Sequence, residues 1–399
     1  MRHNGCSFPL LSRTAIAGVV IATALTGCGL TSAPLPTPSL TGTCLTDKPV
    51  PLALVIGARS NVPDSSLPTF VTSLLEAAAN KGQQITLIRI DGRPTIFTPP
   101  PFGTAFQNPA ARRQSIINYL NVTVNRILLG QIQAQVPQAD VLAALNLAAS
   151  ATGPDGNIIV VDSGLQTVAP LEYQQPGLLM APSSDVVTFL RQSNLLPDLS
   201  GRHVLLSGFG YTASPQPPLN EAQRNNVVSQ WEVIVRAGGG CVTVDTRPNT
   251  AAEISGLPPV SIVAPPATPV FSNCGTIPLE DAGTVGFNAG TATFRDPSAA
   301  MATLSQLADK LKQGTGHITL IGSSSSEGGD TLNKTLSQER AQAVERVLVS
   351  LGIPASRLTT VGDGSHWPGR VRDIGPGGVL LPGPAERDRE VIVQLPQCT

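Results

Sequence analysis

Leu52-Ala53-Leu54-Val55-Ile56 is an apolar run without polar interruption, and it is the first of a series. A strand can carry such a run only when both its faces are buried, as they are inside a parallel sheet covered by helices. Further strands are expected at Gln84 to Ile90, Ile158 to Val161, Val204 to Leu206 and Cys241 to Asp245. Helical spacing appears between them: at Phe70, Leu74, Leu75 and Ala78, through Ala111 to Ala151 with breaks near Gly130 and Pro137, and from Glu221 to Ala237. Strands alternating with helices predict a doubly wound α/β sheet.

A different order follows Arg247. Between Arg247 and Gly275 stand Pro258, Pro259, Pro265, Pro266 and Pro269, a density that removes ladder donors and keeps the chain extended. This segment reads as a linker. Beyond it, Val285 to Phe294 has a strand pattern, and Asp296-Pro297 caps a helix with Met301, Leu304, Leu307 and Leu311 as its apolar stripe. His317 to Ile321 is a strand, followed by the loop Ser323 to Gly329 and a helix from Asn333 to Leu351 with Leu336, Val344, Val347 and Leu348 inward. Strands at Leu358 to Val361 and Glu390 to Leu395 complete an α+β unit, β-α-β-α-β-β, with helices on one face of a mixed sheet. The Gly/Pro-rich stretch Gly369 to Pro384 reads as a long loop.

The apolar content of 41% is enough for two cores, and a formal net charge of -1 offers no basic field for nucleic acid. Catalytic patterns fail on context. No GxSxG elbow occurs, and His203 has no evident nucleophile beside it. Gly208 to Ala213 fits GxGxxA but runs into Ser214-Pro215-Gln216-Pro217-Pro218, so no helix N-terminus is there to hold a pyrophosphate. The expectation is a chain without enzymatic chemistry or cofactor.

Arg2 and Arg13 flank the start of about a dozen mostly apolar residues ending at Leu25, the length of a signal-peptide core and too short to span a bilayer. The sequence Leu25-Thr26-Gly27-Cys28 resembles the lipobox of bacterial lipoproteins. That resemblance implies a diacylglyceryl group on Cys28, which would hold the protein on the outside of a plasma membrane or on an outer membrane. The alternative is an ordinary cleavable signal. Gly29 to Thr43, rich in Ser, Thr and Pro, reads as a tether. Cys44, Cys241, Cys274 and Cys398 remain, and in an oxidising compartment they allow two disulfides in three pairings. Position favours Cys44 with Cys241 and Cys274 with Cys398, each pair bracketing one apolar region. A zinc site competes, but no pair has CxxC spacing.

Asn333-Lys334-Thr335-Leu336-Ser337-Gln338-Glu339-Arg340-Ala341-Gln342-Ala343-Val344 resembles the NxxLSxxRAxxV signature of OmpA-like domains. Gly322 and Gly328 upstream, Gly352 to Leu358, the Gly362, Gly364, Pro368 pattern, and Asp388-Arg389 continue the resemblance in order. It implies a domain that holds peptidoglycan by gripping the zwitterionic end of diaminopimelate between a loop aspartate and the helix arginine. Arg340 stands at the arginine position, and its guanidinium can fork onto a carboxylate. The aspartate position is Ser325, which cannot neutralise an ammonium; Glu327 or Asp330 on the same loop are the candidates to replace it. Asn333 reads as a helix cap or a ligand contact, and Arg340 itself could instead be a surface arginine paired with a nearby acid.

The first unit resembles a von Willebrand factor A domain in its order of elements and in the acidic turn at Asp162-Ser163-Gly164. That family often holds magnesium by a DxSxS loop, but here Gly57 or Ala58 occupies the aspartate position, so no metal is expected, and Ser60 and Asp162 read as turn and cap residues. The expected organisation is 1-27 signal peptide, 28-45 lipidated tether, 46-247 von Willebrand A-like domain, 248-276 linker and 277-399 OmpA-like domain. The expected function is a non-catalytic envelope lipoprotein contacting peptidoglycan through Arg340, Ser325 and Asn333, with the α/β unit binding another envelope component. The alternative is a protein-interaction adaptor that has lost wall binding.

Overall fold

The computed structural model describes residues 40–41, 44–64, 67–103, 108–266 and 269–397. The expected signal peptide, Cys28, most of the tether, and Cys398 with its expected bridge lie outside the described residues. Within them, no helix is long and apolar enough to cross a membrane.

The first sheet has seven strands. β1 (Leu40–Thr41) and β2 (Leu52–Ile56) are followed by α1 (Thr69–Asn80), β3 (Ile85–Arg89), the short β4 (Thr95–Phe97) and α2 (Pro109–Tyr119). A π-helical stretch, Leu120–Val124, runs on into α3 (Asn125–Gly130), and then come α4 (Val141–Thr152), β5 (Asn157–Val161), α5 (Ser183–Gln192), β6 (His203–Ser207), α6 (Glu221–Ala237) and β7 (Cys241–Asp245). The spatial order is β1-β7-β6-β5-β2-β3-β4, parallel from β7 through β3, with antiparallel β1 and β4 at the edges. Alternate residues of the apolar runs feed two cores. Ala53, Val55, Ile158, Val160, Val204 and Leu206 face α4, α5 and α6, whereas Leu54, Ile56, Ile159, Val161 and Leu205 face α1 and α2. Cys44 and Cys241 are joined by a disulfide that closes this unit.

The proline-rich segment is extended but not free. Glu253 bridges to Pro63, Asp64 N–H donates to the Ala252 carbonyl, and Gln138 and Gln216 clamp Ser261 and Val263 through paired side-chain bonds. Val260 and Val263 are buried. Asp64 and Gln216 lie beyond the carboxyl ends of β2 and β6, so the linker crosses the crevice where open parallel sheets usually take their ligands.

The second sheet contains β8 (Thr276–Glu280), β9 (Ile318–Ser323), β10 (Leu358–Gly364) and β11 (Glu390–Gln394), in the order β10-β9-β11-β8. β10 runs parallel to β9, while β11 is antiparallel to both its neighbours. α7 (Pro297–Leu311) and α8 (Asp330–Ser350) cover one face, packing on Ile277, Leu279, Ile318, Leu320, Val391 and Val393. Asp296 caps α7 by accepting from the Ser298 and Ala299 amides.

Four expectations change. The first strand of this sheet is β8 and not Val285 to Phe294, which forms a turn closed by a bridge between Phe287 and Phe294 around Asn288 and Gly290. Pro278 disguises β8, yet an edge strand tolerates proline. α8 begins at Asp330, so Asn333 is inside the helix. The long loop ends in a short helix, α9 (Pro382–Asp388). Met301 is exposed, and Ala300 and Thr303 take its place on the buried side of α7.

Candidate functional site

Arg340 lies in the middle of α8, on its inward side, and is among the largest fully buried side chains of the protein. Its Nε donates to the Thr291 carbonyl at 3.0 Å, and its guanidinium lies 5.1 Å from the centre of the Phe287 ring, which stacks on Phe294. The turn that replaces the expected strand is therefore the wall of the arginine site. Nη1 is buried without a hydrogen-bond partner, and no carboxylate among the described residues reaches ion-pair distance. Burial lowers the Arg340 pKa, opposed by the field of Asp281. A surface arginine paired with a nearby acid is thus not what the structure contains.

The loop before α8 is held from both sides. Ser325 is buried, its carbonyl accepts from Asn333 Nδ2 at 3.2 Å, and Ser324 N–H donates to the Gly364 carbonyl. Asn333 therefore ties the loop to the helix and does not cap it; Gly329 occupies the cap position. Neither candidate replacement for the missing aspartate faces Arg340 at bonding distance. Asp330 pairs with His366 at 2.5 Å and Lys334 at 3.3 Å, and these bonds lower its pKa. Glu327 turns to Arg389 at 3.2 Å, and burial together with the Asp185 charge raises its pKa.

Asp388 of the Asp388-Arg389 pair stands at the site together with two acids that sequence spacing does not reveal, Asp373 and Glu386. Asp373, from the Gly/Pro-rich insertion, accepts from the Ser326 amide and hydroxyl at 2.5 and 2.7 Å. Arg370 joins Asp373 to Asp388, both at 2.9 Å. Glu386 on α9 is fully buried between Arg295 at 3.3 Å and Arg389 at 3.4 Å. Burial and the neighbouring Asp281 push its pKa up, against the opposing pull of Arg295 and Arg389. Arg389 also reaches Asp185 of α5 at 2.6 Å, so an ion pair crosses from the first sheet's helices to this site.

At the carboxyl ends of β2 and β5 a second buried constellation occurs. Arg59 Nη2 is 2.8 Å from Asp162 Oδ1, both side chains fully buried, and Arg59 also donates to Asn61 and Ser163. Asp162 is hence a buried ion-pair partner as well as a turn residue, accepting from Gly164 N–H at 2.7 Å. A Cβ on Gly57 would stand 1.8 Å from Asp162 Oδ2, so position 57 has no room for a carboxylate beside it.

Residues 286–372 match the model of the OmpA family. Over 53 residues the chain is 43% identical to outer membrane protein A of Shimwellia blattae, a stretch covering 13% of this chain and 22% of that protein. Among solved structures, the peptidoglycan-associated lipoprotein from Burkholderia pseudomallei aligns at 26% identity over 27% of this chain and 86% of that one, with a TM-score of 0.22. The cell wall anchor of the T6SS from Pseudomonas aeruginosa aligns at 25% identity over 31% and 81%, TM-score 0.25. The periplasmic domain of Helicobacter pylori MotB, residues 90–256, aligns at 18% identity over 31% and 75%, TM-score 0.25. The family match spans the turn at Phe287, the loop at Ser325 and the helix bearing Asn333 and Arg340, and the C-terminal part of this chain is an OmpA-like domain.

Proposed function

We propose that this chain is a non-catalytic envelope lipoprotein, anchored through Cys28, whose OmpA-like domain binds a peptidoglycan stem-peptide carboxylate through Arg340. On this reading residues 46–247 form a von Willebrand A-like domain that engages another envelope component, and 277–399 form the wall-binding domain. One observation carries the proposal: Arg340 is a desolvated guanidinium with an unused donor and, among the described residues, no carboxylate at bonding distance. Leaving such a group buried costs free energy, and a carboxylate ligand would supply the missing acceptor. Losing a charged hydrogen bond is worth about 1.5–3 kcal/mol, one to two decades of affinity. Retention on purified diaminopimelate-containing peptidoglycan is therefore expected to fall by ten- to a hundredfold in Arg340→Ala. Equal retention of wild type and variant would remove the wall-binding role.

Ser325 favours a second reading, an interaction adaptor that has lost the wall. Ser325→Asp separates the two. Restored acidity strengthens retention if Arg340 still grips the ligand and leaves it unchanged if the site is vestigial.

A further inference from the structure

The OmpA-like domain and the α5 side of the first unit are fastened to each other at the arginine site. Asp185 stands in the first turn of α5, buried, and binds Arg389 at 2.6 Å. The same guanidinium holds Glu327, on the Ser325 loop, at 3.2 Å and Glu386, on α9, at 3.4 Å. Burial works against the Arg389 charge, but Asp185 and Glu386 outweigh it and keep its pKa raised. α9 itself lies against a seat made by the first unit. The turn Leu178–Met180 is fixed by α6, whose Asn226 amide donates to the Leu179 and Ala181 carbonyls and whose Gln230 amide donates to those of Leu178 and Ala181. Gly177, at φ +91°, approaches so closely that a Cβ there would lie 2.2 Å from the Gly383 carbonyl. The result is that Glu386 is inserted, fully buried, into the field of Arg295, Arg340 and Arg389, with Asp281 as the opposing acid.

We propose that α9 is an intramolecular plug: its Glu386 carboxylate stands in for the ligand's carboxylate in the arginine cluster, and the Asp185–Arg389 pair latches the first unit over the closed site. Access to Arg340 then requires the two units to part, which frees α9 and the Ser325 loop together, since Arg389 holds both. Both long contacts of Glu386, at 3.3 and 3.4 Å, are weaker than the 2.7–2.9 Å typical of charged hydrogen bonds. A ligand carboxylate able to fork onto Arg340 can therefore displace it. The inference rests on the wall-binding reading for the identity of the ligand, but the latch itself does not.

Two isosteric variants on different elements, Asp185→Asn and Glu386→Gln, test it in the full chain. Backbone hydrogen exchange of 382–388 is read beside retention on purified peptidoglycan, with the central amides of α8 as the folding control. The latch predicts at least tenfold faster exchange of α9 in both variants, unchanged α8, and at least tenfold stronger retention. Faster exchange with no retention in any form would uphold the latch and overturn the wall-binding reading. Wild-type exchange rates in both variants would overturn the latch, whatever the retention.

Discussion

Replacing Asp162 by Ala removes one half of an ion pair that water does not reach. Arg59 and Asp162 are both fully buried at 2.8 Å, so the substitution leaves a guanidinium in the core with only Asn61, Ser163 and the Leu165 carbonyl as acceptors. Breaking a buried pair from one side costs about 3–5 kcal/mol, chiefly for the charge left behind. The lost bond from Gly164 N–H, 2.7 Å in the native loop, adds about 1 kcal/mol or more. Against a domain stability on the order of 5–15 kcal/mol, the variant should lose a large part of the first unit's stability. Removing both charges in Arg59→Met/Asp162→Ala leaves no bare ion, so the double variant is expected to be more stable than the single one. Urea unfolding can be followed by Trp231, whose indole donates to the Gly164 carbonyl at 2.8 Å, in a Trp367→Phe background that silences the other tryptophan. A loss below about 1 kcal/mol for Asp162→Ala, or a double variant no more stable than the single, would show that the pair does not hold the loop as argued.

Cys44→Ser/Cys241→Ser opens a loop whose ends are 197 residues apart, for which the chain-entropy relation gives up to about 5 kcal/mol. Urea midpoints of the Trp231 transition should fall accordingly, and no shift would mean that β1 and β7 hold the unit's ends without the bridge. Glu390 has its pKa raised to about 7, above the ordinary value of 4.5, by burial and by the neighbouring charges of Glu280 and Asp388. The native state therefore keeps a proton that the unfolded chain releases, and this stabilisation is present below pH 4.5 and lost as pH rises through 7. The melting temperature should decline between pH 5 and 7.5 and decline less in Glu390→Gln, and a rise over that interval would refute the assignment.

How much of this was legible in the sequence depended on whether a residue's partner was local. The runs at Leu52–Ile56 and Asn157–Val161 could be read as buried strands because periodicity is a property of neighbouring residues. α8 was visible for the same reason, apart from its first turn. β8 was hidden by Pro278, a residue that argues against a strand unless its place at the sheet edge is already known. α5, with Asp185, is not among the helices that the sequence pattern predicts. Arg59 has no acid near it in sequence, since its partner Asp162 is 103 residues away. Arg389 and Asp185 are 204 residues apart and belong to different sheets' layers. The Gly/Pro-rich stretch Gly369 to Pro384 reads as a long loop by composition, and Glu386 just beyond it is recognisable as a buried residue only once Arg295 and Arg389 close around it. The same dependence bears on the site. An arginine on a helix signature is a local fact and could be found from sequence, whereas whether it is open to a ligand is decided by α9 and α5, which reach it only through the fold.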